Sequence, residues 1–181
     1  LIKNIDNKFL VEGTIQNKDL RFEDKFLAEF IKNLLPKLDL IDINLNSKNK
    51  FSFIVDKKYK IEDFKSSSKI DIINLKFKNN LELKSFIPNI KKEINLINHI
   101  IKVDYNKNVL SVSGKGNLLL QDQEDNITYN LVKNKDLLDL KINLIIDKNP
   151  IALDFLDYEK SPNLKSNIDL DMSHTLNDKT V

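Results

Sequence analysis

Apolar residues recurring at every second position constrain this chain more than any other feature. Between residues 109 and 121, Leu110, Val112, Gly114, Gly116, Leu118 and Leu120 share one parity, opposed by Ser111, Ser113, Lys115, Asn117 and Gln121. Successive side chains of an extended chain point to opposite sides, so such a run makes a strand with one dry and one wet face. The pattern repeats in Leu138, Leu140, Ile142, Leu144 and Ile146, opposed by Asp139, Lys141 and Asn143. It recurs in Leu164, Ser166, Ile168, Leu170 and Met172, opposed by Lys165, Asn167, Asp169 and Asp171. Shorter runs are Phe9/Val11/Gly13/Ile15, Ile41/Ile43/Leu45, Phe51/Phe53/Val55, Ile101/Val103/Tyr105 and Ile127/Tyr129/Leu131. A wet second face predicts antiparallel pairing, because parallel sheets are covered on both sides and read as continuous apolar runs.

Polar clusters at 46–49, 106–108, 121–126 and 133–136 separate the runs. Read as short turns, they give a meander of about ten strands of roughly 8–13 residues. Around 69–77 the apolar phase slips, from Ile70 and Ile72 to Ile73, Leu75 and Phe77. A β-bulge near Ile72 and Ile73 accommodates that slip. One segment has helical spacing instead: Phe26, Leu27, Phe30, Ile31 and Leu34 form a stripe, with Glu23 and Asp24 before it and Pro36 after it. This predicts a helix over 24–35 packed on one end or edge of the sheet. Pro150 could open a second helical turn over 150–158. The stretch 86–98, with Pro88 and the Lys91-Lys92-Glu93 cluster, reads as an irregular crossing or a short helix.

Composition removes several function classes. The 181 residues carry 29 basic and 27 acidic side chains, a net +2, which is no nucleic-acid footprint. There is no cysteine, so disulfides, thiolate metal sites and cysteine nucleophiles are excluded. No run approaches the ~18–20 apolar residues of a membrane-spanning helix. The 28 Lys, 24 Asn and 23 Ile against a single Arg (Arg21) follow AT-rich codon usage, so lysine abundance is not itself read as function. The chain begins at Leu1 and its one Met is Met172, which frames it as a single β-rich segment, 1–181, of a larger protein.

Candidate chemistry reduces to ordinary structure on inspection. Gly114-Lys115-Gly116 lacks the spacing and following helix of a phosphate loop, and small residues on a crowded strand face explain it. His99 and His174 have no companion at metal-ligand spacing, so no metal site is expected. Asp122, Glu124 and Asp125 read as a solvated hairpin tip without the glycine of a calcium loop. Asp169 and Asp171 belong to a wet strand face, and Asp154, Asp157 and Glu159 to a solvated turn. No catalytic residue and no cofactor is assigned, and the expectation is a protein that is not an enzyme.

The expected fold is mainly β: a long antiparallel meander sheet curled into an open trough, with one short helix near 24–35. A closed sandwich or barrel is the alternative. The run Leu110-Ser-Val-Ser-Gly-Lys-Gly-Asn-Leu-Leu-Leu120 resembles the AsmA-like family of large TamB/YhdP/YdbH-type proteins. So does Asn149-Pro-Ile-Ala-Leu-Asp-Phe-Leu-Asp-Tyr158 followed by the strand pattern of 164–172. The helix at 24–35 and the crossing at 86–98 depart from that family's continuous trough. The resemblance implies a periplasmic segment of a bridge-like lipid-transfer protein of Gram-negative bacteria, held at the inner membrane by an anchor outside this chain. Its partners would be phospholipid acyl chains and flanking β-strands of the same larger chain, with no nucleic acid. The lipid-lining residues would then be Leu110, Val112, Leu118, Leu120, Leu138, Leu140, Ile142, Leu144, Ile168, Leu170 and Met172. The competing function is a structural or adhesive extracytoplasmic β-domain with a closed core.

Overall fold

The structure, a computed structural model, describes residues 1–5, 8–21, 39–78, 87, 89–153 and 156–176. The alternating runs become strands β1 (Ile2–Ile5), β2 (Lys8–Arg21), β3 (Leu40–Val55), β4 (Ile61–Lys78), β5 (Glu93–Asn106) and β6 (Val109–Leu119). They continue with β7 (Asp125–Lys133), β8 (Leu137–Ile146), β9 (Ile151–Leu153), β10 (Tyr158–Lys160) and β11 (Ser166–Thr175). Nine of these make one antiparallel sheet in the order β1-β2-β3-β4-β5-β6-β7-β8-β11, and β9 pairs with β10 in a small separate ribbon. The outer strands β1 and β11 do not pair with each other, so this open meander is not closed into a barrel. The helix expected over 24–35 lies outside the described residues.

Local turn chemistry explains why neighbours in sequence are neighbours in the sheet. Lys107 and Asn108 both take positive φ, 48° and 62°, between the closing pair Asn106 and Val109. That is the primed two-residue turn whose twist matches a hairpin. Between β7 and β8 the Asn134 Oδ1 accepts the backbone N–H groups of Asp136 and Leu137, both at 2.8 Å. Between β3 and β4 the Asp56 Oδ1 accepts those of Lys58 and Lys60. Short polar side chains thus supply the bonds that the turning backbone cannot make with itself.

Three sequence expectations need correction. The cluster 46–49 is no turn but the middle of β3, which runs unbroken through 16 residues. Its polar residues sit between Leu45 and Phe51, which share one parity and therefore one face. β4 is longer still, 18 residues or about 60 Å. In the stretch 86–98, everything from Glu93 onward is strand β5. In the segment 150–158 the described residues are mostly strand: Leu153 pairs with Tyr158 in the β9–β10 ribbon and Ile151 is buried, with Leu156 alone in 3-10 geometry between the two strands.

The predicted bulge is present. Asn44 pairs with Asn74 and Leu45 with Ile72, leaving Ile73 as the extra residue of β4. A second bulge lies in β5, where Asn98 and His99 face the single residue Gly116, and Asn98 has a φ of 48°. The pairs Ile72–His99 and Asn74–Ile97 place the two extra residues opposite each other.

Apolar parity therefore stays on one side of the whole sheet. Two buried clusters form on it. One holds Ile87, Ile94, Leu118 and Leu120, with Ile90 and Phe77 packed against them. The other holds Ile43, Leu45 and Ile72, flanked by Leu20, Ile70 and Ile101.

Gly114 and Gly116 lie on this face because rings cross directly above them: Tyr129 covers Gly114, and His99 covers Gly116. A Cβ on Gly116 would stand 2.5 Å from the backbone Cα of His99, whereas one on Gly114 would meet only the Tyr129 ring. Backbone yields less readily than a half-buried ring. Gly116→Ala is expected to cost about 2–3 kcal/mol and Gly114→Ala about 1 kcal/mol, measured by urea denaturation. The reverse order would contradict this packing.

Candidate functional site

The candidate site is the apolar side of the sheet from β5 to β11. Register fixes it as rows running across the strands. One row is Tyr105–Leu110–Lys133–Leu138–His174, and the next is Val103–Val112–Leu131–Leu140–Met172. Then come Ile101–Gly114–Tyr129–Ile142–Leu170 and, on the last four strands, Gly116–Ile127–Leu144–Ile168. Each row is aliphatic or aromatic over most of its length because every contributing residue has the same parity as its cross-strand partner.

All eleven sequence-predicted lining residues fall on this one side, but not in one environment. Leu118 and Leu120 are 8% and 6% exposed, inside the cluster covered by Ile87. Leu110, Val112, Leu138, Leu140, Ile142, Leu144 and Ile168 are half-buried. Leu170 and Met172 are 57% and 50% exposed, on the edge strand β11. The surface thus grades from a closed core at one end of the strands to open apolar surface along the rest.

Sequence reasoning missed the polar groups on the same side. Ser47 and Asn49, read as a turn, project there with Asn17, and both amides donate to the Ser47 Oγ at 3.1 Å. Ser66 and Ser68 of β4 have the same parity, opposite Phe51 and Asn49. An island of amides and hydroxyls therefore interrupts the apolar side over β2–β4. Its signal was available: an odd-numbered Ser or Asn between odd-numbered Leu45 and Phe51.

A buried polar clip was also missed. Asp125, expected at a solvated tip, is 1% exposed. Its Oδ2 accepts from the Asn149 Nδ2 at 2.7 Å, and the same amide donates to the Gln123 carbonyl at 2.6 Å. The Gln123 N–H returns a bond to the Asn149 Oδ1, and Gln121 donates to the Pro150 carbonyl. The buried Lys160 ammonium donates to the carbonyl oxygens of Asn149 and Asp147. Together these bonds hold the β9–β10 ribbon against the β6–β7 turn. Burial pushes the Asp125 carboxyl above its ordinary pKa, outweighing the Asn149 hydrogen bond and the Lys160 charge.

His99 is fully buried, its ring stacked on Tyr129 at 5.5 Å. Neither ring nitrogen has a hydrogen-bond partner among the described residues, and burial lowers its pKa. Asp169 lies on the opposite, wet side, bonded to Asn143 and Asn167, and Asp171 beside it pairs with Lys141 at 3.5 Å. Among the described residues no group of three or more His, Asp or Glu side chains is placed to hold a metal ion. None of the helices among them is long and apolar enough to cross a membrane. No protein-family model, curated protein or solved structure matches this chain.

The geometry can hold apolar chains by burial alone, and the buried ring sets a pH dependence. His99 favours its neutral form when folded, while the unfolded chain takes up a proton near 6.5. Stability is therefore lost as pH falls below about 6.5. His99→Phe keeps a ring over Gly116 and should flatten that slope in denaturation curves collected across this range. Asp125 acts with the opposite sign. Its raised pKa makes the folded state gain stability as pH falls toward 3.8, and Asp125→Asn should remove that gain.

Proposed function

We propose that the chain is a non-enzymatic segment of an AsmA-like periplasmic protein. Its apolar sheet side holds phospholipid acyl chains and lets them slide between inner and outer membrane. The carrying observation is the contiguous half-exposed apolar surface across β5, β6, β7, β8 and β11, reaching open solvent at Leu170 and Met172. Soluble monomers seldom leave so extended an apolar surface bare, and such surface marks an interaction site. Affinity comes from area removed from water, about 25 cal/mol per Å², without headgroup-specific contacts. The edges at β1 and β11 accept flanking strands of the same larger chain, and an anchor beyond these residues holds it at the inner membrane. A structural or adhesive domain with a closed core is the second reading, favoured by the end where Ile87 and Ile90 cover Ile94 and Leu118.

Native mass spectrometry of the purified chain, with lipid extraction alongside, separates the two. Co-purified phospholipid is expected, and it should be lost in Ile142→Asp, whose side chain lies between Tyr129 and Leu170 in the open rows. That variant should stay folded, losing no more than about 2 kcal/mol, because an open surface lets the carboxylate reach water. A lipid-free, monodisperse wild type, or unfolding of Ile142→Asp by circular dichroism, would favour the closed core.

A further inference from the structure

The wet side of the sheet carries its charge unevenly. Lys48, Lys69 and Lys102 are direct cross-strand neighbours on β3, β4 and β5. Strand spacing sets their backbones about 4.8 Å apart. Like charges placed directly opposite each other destabilise a sheet, so local packing does not select this row. Lys50 lies one row away on β3, and Lys115 pairs with Ile100 on β6. Within this block only Asp71 and Asp104 carry negative charge, so five lysines face two aspartates for a net +3. Lys69 meets Asp71 at 3.0 Å, whereas Lys48, Lys50, Lys102 and Lys115 make no ion pair among the described residues. All five lysines are exposed. A shallow open groove of about 370 Å³ runs between Lys48, Lys50, Lys69, Lys102, Asp104 and Ser67.

From this geometry we infer that the wet side over β3–β6 docks on a bilayer surface rich in anionic phospholipid headgroups. The lysines supply charge complementarity, and the groove with its Ser67 hydroxyl gives a phosphate oxygen a place between them. Lysine abundance in the chain does not carry the inference; the cross-strand alignment does. A single-stranded nucleic acid is disfavoured as occupant, because these strands present no aromatic residue on the wet side for bases to stack on. The opposite end of the same side is acidic, with Asp139, Asp169 and Asp171 around Lys141, so the sheet would meet an anionic surface by its β3–β6 end. The inference is independent of whether the apolar side carries lipid.

The test is co-sedimentation of the intact chain with phosphatidylcholine vesicles, with or without about 30% phosphatidylglycerol. Binding is expected only with the anionic lipid and should fade as salt rises, since exposed charges are screened beyond about 10 Å at 0.1 M. The triple variant Lys48→Gln, Lys69→Gln, Lys102→Gln should bind roughly a hundredfold more weakly. All three side chains are exposed, and its unchanged circular dichroism checks the fold. Ile142→Asp should bind as the wild type does, which separates this surface from the apolar one. Equal binding to neutral vesicles, no binding to anionic ones, or undiminished binding by the triple variant would overturn the inference. So would inorganic phosphate displacing the protein at matched ionic strength, which would assign the groove to a soluble anion.

Discussion

Everything in this structure depends on side-chain parity being conserved across the sheet. A strand that slipped by one residue against its neighbour would turn its whole apolar set to water. Register shifts occur in β2, β3, β4 and β5, and in the middle of the sheet β4 and β5 each carry an extra residue that alone would cause such a turn. Ile73 of β4 and Asn98 of β5 lie opposite each other, so the phase change of one strand is met by the same change in the next. Below the bulges Leu75 still faces Leu96 and Phe77 still faces Ile94; above them Ile70 still faces Ile101. Without the second bulge, Phe77 and Ile94 would leave the cluster they share with Leu118 and Leu120. The shared bulge also makes room for the His99 ring above Gly116, the one residue of β6 that faces two of β5.

What could be read from the sequence was what repeats, and what could not was what happens once. Period-two alternation located the sheet, its antiparallel order and the common side of all eleven lining residues, but not whether the sheet closes on itself. The phase slip at Ile72 and Ile73 located one bulge because apolar residues flank it on both sides. Its partner at Asn98 was hidden, since Ile97, Ile100 and Ile101 are apolar on either parity and blur the phase. Residues 46–49 were misread because a polar run looks like a turn when composition is weighed before parity. Pro150 suggested a helix start, but the segment is fixed from outside, by Lys160 and Gln121 bonding to the carbonyls of residues 147–150. Asp125 looked solvated for the same reason. A partner 24 residues away in sequence leaves no local signal.

The polar groups on the apolar side divide by how they are satisfied. In the island over β2–β4 the Asn17 and Asn49 amides both donate to the Ser47 hydroxyl while half-buried, so water can serve whatever geometry they leave over. Around Asp125 the groups are buried: the Asn149 amide, the Asp125 Oδ2 and the Lys160 ammonium have named partners, whereas the Asp125 Oδ1 and Gln121 Oε1 have no hydrogen-bond partner among the described residues. Removing one member there strands the others away from water, which costs more than the bond itself. The first arrangement is open to a new partner from solvent, and the second is shut off from it by burial. If a guest lies on this side as proposed, its polar contacts fall to accessible groups such as Asn17, Ser47, Asn49, Ser66, Ser68, Lys133 and His174 rather than to the clip.

On the proposed reading, this division gives the apolar side a direction. Five adjacent strands, β5 to β11, offer an aliphatic track of about 19 Å measured across the strands. At the β4 end the track meets Ser66 and Ser68, opposite Tyr105 and Val103. At the other end Ile168, Leu170 and Met172, between Ser166 and His174, stand on β11, an edge strand that pairs only with β8 among the described residues and can take another strand. An acyl chain lying on the rows would lose contact at the first end and keep it at the second. Continuity of an apolar path therefore requires a strand added beside β11 with its apolar parity matched to Leu170. Such a strand would also meet Asn167, Asp169 and Asp171 on the wet side, and a lysine or arginine there would complement them.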